Sequence, residues 1–178
     1  FERLNLKVTI EVNNRKILDS LLGYMSIPAE KKYSVIIAVD KIKKVGTSEV
    51  RNELRNLGIA DEKIKGLMDI FATKGSNKSK IATIKKIVNS EGIAEIEQIF
   101  NNIDEKNVEF NISLARGLSY YTGTVFEVFA NDKEVNVAIA GGGRYDNMIG
   151  SFSEGKRDVA AVGISFGLEP IIDILKRF

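Results

Sequence analysis

From Arg15 to Asp104 the apolar residues recur at helical spacing with no strand between, and on either side the period drops to two. A chain patterned in this way must set a block of helices against a sheet whose strands come from both flanks. Leu6, Val8, Ile10 and Val12 alternate with Lys7, Thr9 and Glu11, so a strand opens the chain, and Asn13-Asn14 turns it. Ile17, Leu18, Leu21, Leu22 and Met25 form one face of a helix that starts near Arg15 and ends before Pro28. Pro28 suits the first turn of the next helix, with a stripe through Val35, Val39 and Ile42 and a stop at Gly46. Thr47 or Ser48 can cap a helix facing inward through Val50, Leu54 and Leu57 and closed by Gly58. Asp61 caps another through Ile64, Leu67, Met68 and Phe71, with Glu62 near the positive end of its dipole. After the loop Gly75-Ser76-Asn77, two more helices are marked by Ile81, Ile84 and Val88 and by Ile93, Ile96 and Phe100. Five short helices in succession predict an all-helical insertion over 28–104, between core segments 1–27 and 105–178.

Strands are expected at about 108–114, 122–130, 135–140 and 159–166, with Asn131-Asp132 a candidate hairpin turn. A last helix follows Gly167, with Leu168, Ile171, Ile172 and Leu175 inward. Short turns between these strands predict an antiparallel sheet and argue against a Rossmann arrangement despite the glycine cluster. The fold class is α+β.

With 178 residues, 44% apolar and 28% charged, the composition is that of an ordinary globule and argues against disorder. There is no cysteine and no histidine, which removes disulfides, thiolate nucleophiles, Cys/His zinc sites and every histidine-based general base; no protein-bound metal is expected. Chemistry must come from charge, positioning and the substrate's own groups. No apolar run approaches 18 residues and no secretory leader is visible, so the chain reads as cytoplasmic, without a membrane partner. Its first residue is Phe1, and a strand pattern begins almost at once, as expected for a piece of something longer. Net charge is +2, yet residues 28–90 carry 14 Lys/Arg against 7 Asp/Glu. That basic stretch suits a phosphate-backbone partner, the alternative being a solvated lysine-rich surface.

Between the strands lies Leu114-Ala115-Arg116-Gly117-Leu118-Ser119-Tyr120-Tyr121-Thr122-Gly123-Thr124-Val125-Phe126-Glu127. Val108, Phe110, Ile112 and Leu114 set a buried phase in which Arg116 falls. A lone buried guanidinium costs several kcal/mol or more, so Arg116 needs a carboxylate, Glu127 or Asp146, or an anionic ligand. Its planar donor fork suits carboxylate and phosphate. On an extended backbone Tyr120 and Tyr121 point to opposite faces. Gly141, Gly142 and Gly143 would permit close backbone approach to a flat ligand or a positive φ, while Arg144 and Asp146 could pair or brace the loop.

The run 114–127 resembles the signature peptide of histidyl-tRNA synthetases, and Ala140-Gly141-Gly142-Gly143-Arg144-Tyr145-Asp146 resembles their second signature. Ala161-Val162-Gly163-Ile164-Ser165-Phe166-Gly167-Leu168-Glu169 is similar to the third class II synthetase motif. Val12 to Asp19 and Val39 to Val45 resemble the archaeal and eukaryotic branch. The resemblance implies a partial class II antiparallel sheet with a helical insertion, and an enzyme that activates histidine with ATP, Mg2+ accompanying the nucleotide, and transfers it to tRNA(His). By resemblance Arg116 is the catalytic residue, contacting the histidine carboxylate and the ATP α-phosphate. Tyr121 touches the imidazole, Tyr120 borders its pocket and Tyr145 adds another phenol. Gly163 and Gly167 flank the adenosine. Lys78, Lys80, Lys85 and Lys86 of the helical insertion contact tRNA, and the parent is a homodimer.

Three departures stand out. Pro170 replaces the third-motif arginine that grips the ATP γ-phosphate, and Ser119 stands where the family has aspartate. Nothing resembles the first two class II motifs, and no anticodon-binding domain follows, so this stretch alone is expected to be inert. The alternative is the non-catalytic paralogue that regulates ATP phosphoribosyltransferase in histidine biosynthesis, to which Pro170 lends weight.

Overall fold

The computed structural model describes residues 1–116, 120–131, 137–151 and 159–177. Strand β1 (Val8–Asn14) leads into α1 (Arg15–Tyr24). The helices α2 (Ala29–Asp40), α3 (Ile42–Asn56), α4 (Asp61–Phe71), α5 (Asn77–Ile87) and α6 (Glu91–Asn102) follow without a strand. Then come β2 (Val108–Phe110), β3 (Thr124–Ala130), β4 (Ala138–Arg144), α7 (Asp146–Ser151), β5 (Val162–Phe166) and α8 (Leu168–Leu175). Among the described residues they form a five-stranded sheet in the order β2-β1-β3-β4-β5.

The helical stretch follows its punctuation only in part: the helix after Pro28 ends at Asp40 rather than Gly46, the next begins at Ile42 rather than at Thr47 or Ser48, and Asp61 is the first helical residue of α4, where Ala60 takes the cap position without a side-chain hydrogen bond. Asn14 accepts from the Lys16 N–H to cap α1, and Ser76 accepts from Ser79 to cap α5. Gly46, at φ 83°, breaks the helical path inside α3, because a left-handed residue cannot continue a right-handed helix. The helices share their buried surface with the flanks. Leu18 and Leu22 of α1 join Val35, Val39, Leu54, Ile64 and Leu67 in one cluster. Ile17 and Leu21 join Ile84, Ile93 and Ile96 with Val12 and Phe110 in another.

Four features differ from the sequence expectation. Three of the four strand pairings are antiparallel, but β1 and β2 run parallel, Ile10 facing Val108 and Val12 facing Phe110, because the whole helical block intervenes as a crossover. β2 ends at Phe110 rather than Leu114. Asn111 folds back so that its Oδ1 accepts from the Ser113 N–H and hydroxyl at 3.0 and 2.8 Å, and the buried Asn13 amide donates to the Ile112 and Leu114 carbonyls at 2.9 and 2.8 Å in place of a ladder. In α8 the inward residues are Ile171 and Ile174, while Leu168, Ile172 and Leu175 are exposed. The edge strand β5 likewise leaves Val162, Ile164 and Phe166 exposed, since only β4 pairs with it. Fourth, the helix α7 was not expected. Asp132 of the proposed hairpin turn and the start of the expected 135–140 strand lie outside the described residues, as does Ser119. No helix among the described residues is long and apolar enough to cross a membrane.

Candidate functional site

β4 runs between β3 and β5, with Gly143 paired to Gly163 and Gly141 paired to Ser165. Side chains alternate across a strand, so Gly141, Gly143 and Gly163 leave one patch of one face bare. Arg116, Tyr121 and Tyr145 rest on that patch. A Cβ on Gly141 would enter the Arg116 guanidinium, one on Gly143 would stand 2.8 Å from the Tyr121 ring, and one on Gly163 would meet the Tyr145 hydroxyl. None of the glycines 141–143 has a positive φ. The room expected for a ligand's close approach is therefore taken by the protein's own cation and phenols.

The period-two phase predicts that Arg116 continues a strand, and it does not: it has φ 38°, a left-handed conformation that costs about 1–3 kcal/mol outside glycine. Its Nη1 donates to the Phe126 carbonyl at 3.1 Å. Its guanidinium carbon lies 5.4 Å from the Tyr121 ring centre. The nearest carboxylate is Glu127, with Oε1 3.9 Å from Nε, whereas Asp146 is held by Arg144 Nε at 2.7 and 3.0 Å. A guanidinium quenched by its own protein shows bidentate bonds of about 2.7–2.9 Å. Arg116 shows one neutral hydrogen bond and a long ion pair among the described residues, although its side chain is only 16% exposed. Among the described residues its remaining donors carry no hydrogen bond.

Tyr120 and Tyr121 do not point apart. Their ring centres are 4.5 Å apart, and both rings pack against Tyr145 at 5.9 and 6.4 Å, because the glycine-containing turn abandons the extended backbone on which neighbours alternate. Tyr121 is buried and Tyr120 partly exposed. Burial, together with a hydrogen bond to Tyr120, pushes the Tyr121 phenol up to about 12, so it stays a neutral donor at ordinary pH.

Beside Arg116 opens a cavity of about 220 Å³ whose lining includes Glu11, Asp40, Lys43, Ala115, Glu127 and Phe129. Glu11 and Glu127 face each other across β1 and β3, an unfavourable like-charge pair. Lys43 relieves it by pairing with Glu11 and lies 4.0 Å over the Phe129 ring, while Asn111 donates to Glu11 at 2.7 Å. Burial, with Asp40 and Glu11 nearby, still pushes the Glu127 carboxyl above its ordinary value against the pull of Arg116. Sequence reasoning named Glu127 as a partner for Arg116 but missed Glu11, Asp40 and Lys43. The one signal was an acidic residue at the outward phase of each of two strands.

The remaining expected residues scatter. Gly163 underlies Tyr145, but Gly167 lies at the far end of β5, where a Cβ would stand 2.8 Å from Pro170 in the first turn of α8. Three residues lie between them, and the four steps of extended chain span about 13 Å. On α5, Lys80 donates to the Phe110 carbonyl at 3.1 Å and Lys85 pairs with Glu97 at 2.9 Å, whereas Lys78 and Lys86 are exposed.

Comparison with known proteins agrees with the signature segments. Residues 2–171 match the family model of histidyl-tRNA synthetase. The chain is 43% identical over 190 residues to a histidine–tRNA ligase of Azobacteroides pseudotrichonymphae and 39% over 186 to one of Bacteroides fragilis, covering 99% of this chain and 40% of each relative. It thus spans about two fifths of the length of the curated relatives it matches. The crystal structure of the histidyl-tRNA synthetase from Nostoc superposes with a TM-score of 0.89 at 30% identity, covering 99% of this chain and 44% of that one. A Bacillus halodurans structure described as an ATP phosphoribosyltransferase regulatory subunit/histidyl-tRNA synthetase superposes at 0.78 with 20% identity, covering 98% and 46%, a likeness of fold alone. These relatives are bacterial, which gives no support to the expected archaeal and eukaryotic branch. With the family model matched over nearly the whole chain and both signature segments meeting on one glycine floor, the chain belongs to the histidyl-tRNA synthetase family.

Proposed function

We propose that this chain is part of the catalytic domain of a histidine–tRNA ligase, which joins histidine to ATP and passes it to tRNA(His). The observation that carries the reading is Arg116, held over Gly141 beside Tyr121 and Tyr145 with a single hydrogen bond and a long ion pair among the described residues. In the activation step the histidine carboxylate attacks the α-phosphorus of ATP, one P–O bond forms, and the bond to pyrophosphate breaks. Two anions must approach, and a preorganised guanidinium between them lowers that cost more as charge develops. Tyr121, neutral at ordinary pH, can donate to an imidazole nitrogen, with Tyr120 and Tyr145 walling the pocket.

Gly163 and Gly167 border the adenosine, and Mg2+ arrives with the nucleotide. With Pro170 in place of a cation, the γ-phosphate is held by a group other than the third motif. The segment 28–104 acts as the helical unit that meets tRNA, and the whole protein is a cytoplasmic homodimer in which this segment alone does not catalyse. A regulatory role in histidine biosynthesis is the second reading, favoured by Pro170. The test is histidine-dependent exchange between ATP and pyrophosphate in the full-length protein. Exchange is expected, with Arg116→Ala losing about 10²- to 10³-fold or more. A full-length protein that binds histidine without exchange belongs to the regulatory reading.

A further inference from the structure

We propose that Glu95, on α6 and distant in sequence from both signature segments, is a positioning residue that holds the turn carrying Tyr121. The inference rests on the reading of Tyr121 as a histidine contact. Glu95 Oε2 accepts from Asn14 Nδ2 at 2.6 Å, and its Oε1 accepts from Lys16 Nζ at 2.8 Å. Asn14 is fully buried at the end of β1; its amide also reaches the Thr124 hydroxyl at 3.3 Å, and the next residue, Arg15, donates its N–H to the Gly123 carbonyl at 2.9 Å. A Cβ on Gly123 would stand 3.3 Å from Glu95 Oε2 and 3.2 Å from Arg144 Cδ, so the turn is wedged between the α6 carboxylate and the second signature. From the other side Thr122 donates its N–H to the Arg144 carbonyl at 2.9 Å, and its hydroxyl accepts from the Asp146 N–H at 3.1 Å. Tyr121 is thus pinned at both of its C-terminal neighbours.

The arrangement leaves no slack. A Cβ on Gly92, in the first turn of α6, would stand 2.6 Å from Asn14 Oδ1, so α6 cannot settle closer to replace a missing carboxylate. Against the upward push of burial, the hydrogen bonds from Lys16 and Asn14 hold Glu95 below the ordinary carboxylate value, and it is ionised at neutral pH. Glu91 makes a useful contrast. It also pairs with Lys16, at 2.9 Å, but its side chain is 85% exposed, and that lysine is its only partner among the described residues. Removing Glu91 weakens an exposed ion pair. Removing Glu95 also takes from the buried Asn14 amide its shorter bond, leaving the 3.3 Å contact to Thr124, and loosens the turn.

The test reads Tyr121 directly, by 13Cζ-tyrosine NMR of the full-length protein titrated from pH 7 to 11, with Tyr121→Phe assigning the signal. In the parent Tyr121 stays mostly protonated at pH 11, as expected of a phenol that burial pushes up to about 12. In Glu95→Ala it ionises at least one unit earlier, nearer the ordinary tyrosine value of about 10. Glu95→Gln keeps the size and an acceptor for Asn14 and falls between, while Glu91→Gln matches the parent. If Glu95→Ala does not fold, Glu95→Gln against Glu91→Gln decides alone. An unmoved Tyr121 in a folded Glu95 variant, or equal effects at 91 and 95, overturns the proposal. In the full-length enzyme Glu95→Ala raises the KM for histidine roughly tenfold or more and leaves that for ATP unchanged, since small displacements of a positioning group cost up to about 10²-fold. A rise in both KM values also overturns it. If the full-length parent shows no exchange, the ligase reading fails while the tyrosine titration still decides the role of Glu95.

Discussion

Alanine at each of Gly141, Gly142 and Gly143 adds the same methyl group to the same strand, yet the first is expected to fail in a different way from the other two. At Gly142 the new carbon meets the Gly163 carbonyl of the neighbouring strand and stands 2.8 Å from the Phe126 ring. At Gly143 it stands 2.5 Å from the Thr124 carbonyl oxygen and 2.8 Å from two Tyr121 ring carbons. Backbone on a paired strand cannot step aside without breaking its ladder, so both variants carry overpacking of about 2–3 kcal/mol. For a chain of this size, about 2–4 °C per kcal/mol makes that a fall of roughly 4–12 °C in Tm.

Gly141 differs because what its Cβ meets first is the Arg116 guanidinium, the free end of a long side chain, with the Phe126 carbonyl oxygen at 3.2 Å. The guanidinium can swing into solvent, losing its bond to Phe126 and regaining hydration. Alanine also lowers the unfolded chain's entropy, which offsets about 0.4–1 kcal/mol. The Tm of Gly141→Ala should therefore stay within about 3 °C of the parent. Its exchange activity should fall about 10²- to 10³-fold, the loss typical of one preorganised donor. Thermal unfolding followed by circular dichroism, and pyrophosphate exchange on the full-length variants, measure the two quantities separately. If Gly141→Ala is as unstable as Gly142→Ala, or keeps full exchange, the placement of Arg116 over that glycine is not what the site depends on.

The lysine test needs splitting, because Lys80→Glu would lose the bond to Phe110 and Lys85→Glu would set a carboxylate against Glu97. The double variant Lys78→Glu/Lys86→Glu touches neither. Its tRNA affinity, measured over a salt series, should fall with a slope shallower by about one for each phosphate no longer neutralised, and unchanged affinity returns both lysines to the solvated surface. The carboxylates divide by sign. Glu95 and Asp146 are held below their ordinary values, each against the opposing push of burial, so the stability they contribute is present at neutral pH and lost as pH falls through their folded values. Glu127 is raised by burial, so its contribution is present below its ordinary value of 4.5 and lost as pH rises through the folded one. The Tm of Glu127→Gln relative to the parent should climb as pH rises above 4.5, and a flat difference would count against the burial of that charge.

Much of the fold was legible because helical stripes are local. Five helices and the break at Gly46 could be read from spacing alone, each stripe needing only its own residues. What was not legible depended on partners far along the chain. The parallel pairing of β2 with β1 joins Val108 to Ile10, and no local pattern reports which strand will lie alongside. β2 stops early although Phe110, Ile112 and Leu114 keep their alternating burial, because Asn13, about a hundred residues earlier, supplies hydrogen bonds that a strand would have made. α7 has six residues, too few for a stripe to show.

The site follows the same division. Its residue types were visible, but the alternation placing Tyr120 and Tyr121 on opposite faces fails at a turn whose shape is set by Asn14, Arg15 and Arg144. The glycines looked like space for a ligand because nothing in their own segment says what will cover them. Each candidate side chain comes from one segment and its bare floor from another. Arg116 and Tyr121 precede β3 but rest on β4, while Tyr145 follows β4 and rests on β5. Large side chains in one signature need the missing side chains of the next, so the segments form a single object, and neither can position its residues unless the sheet first brings them into register.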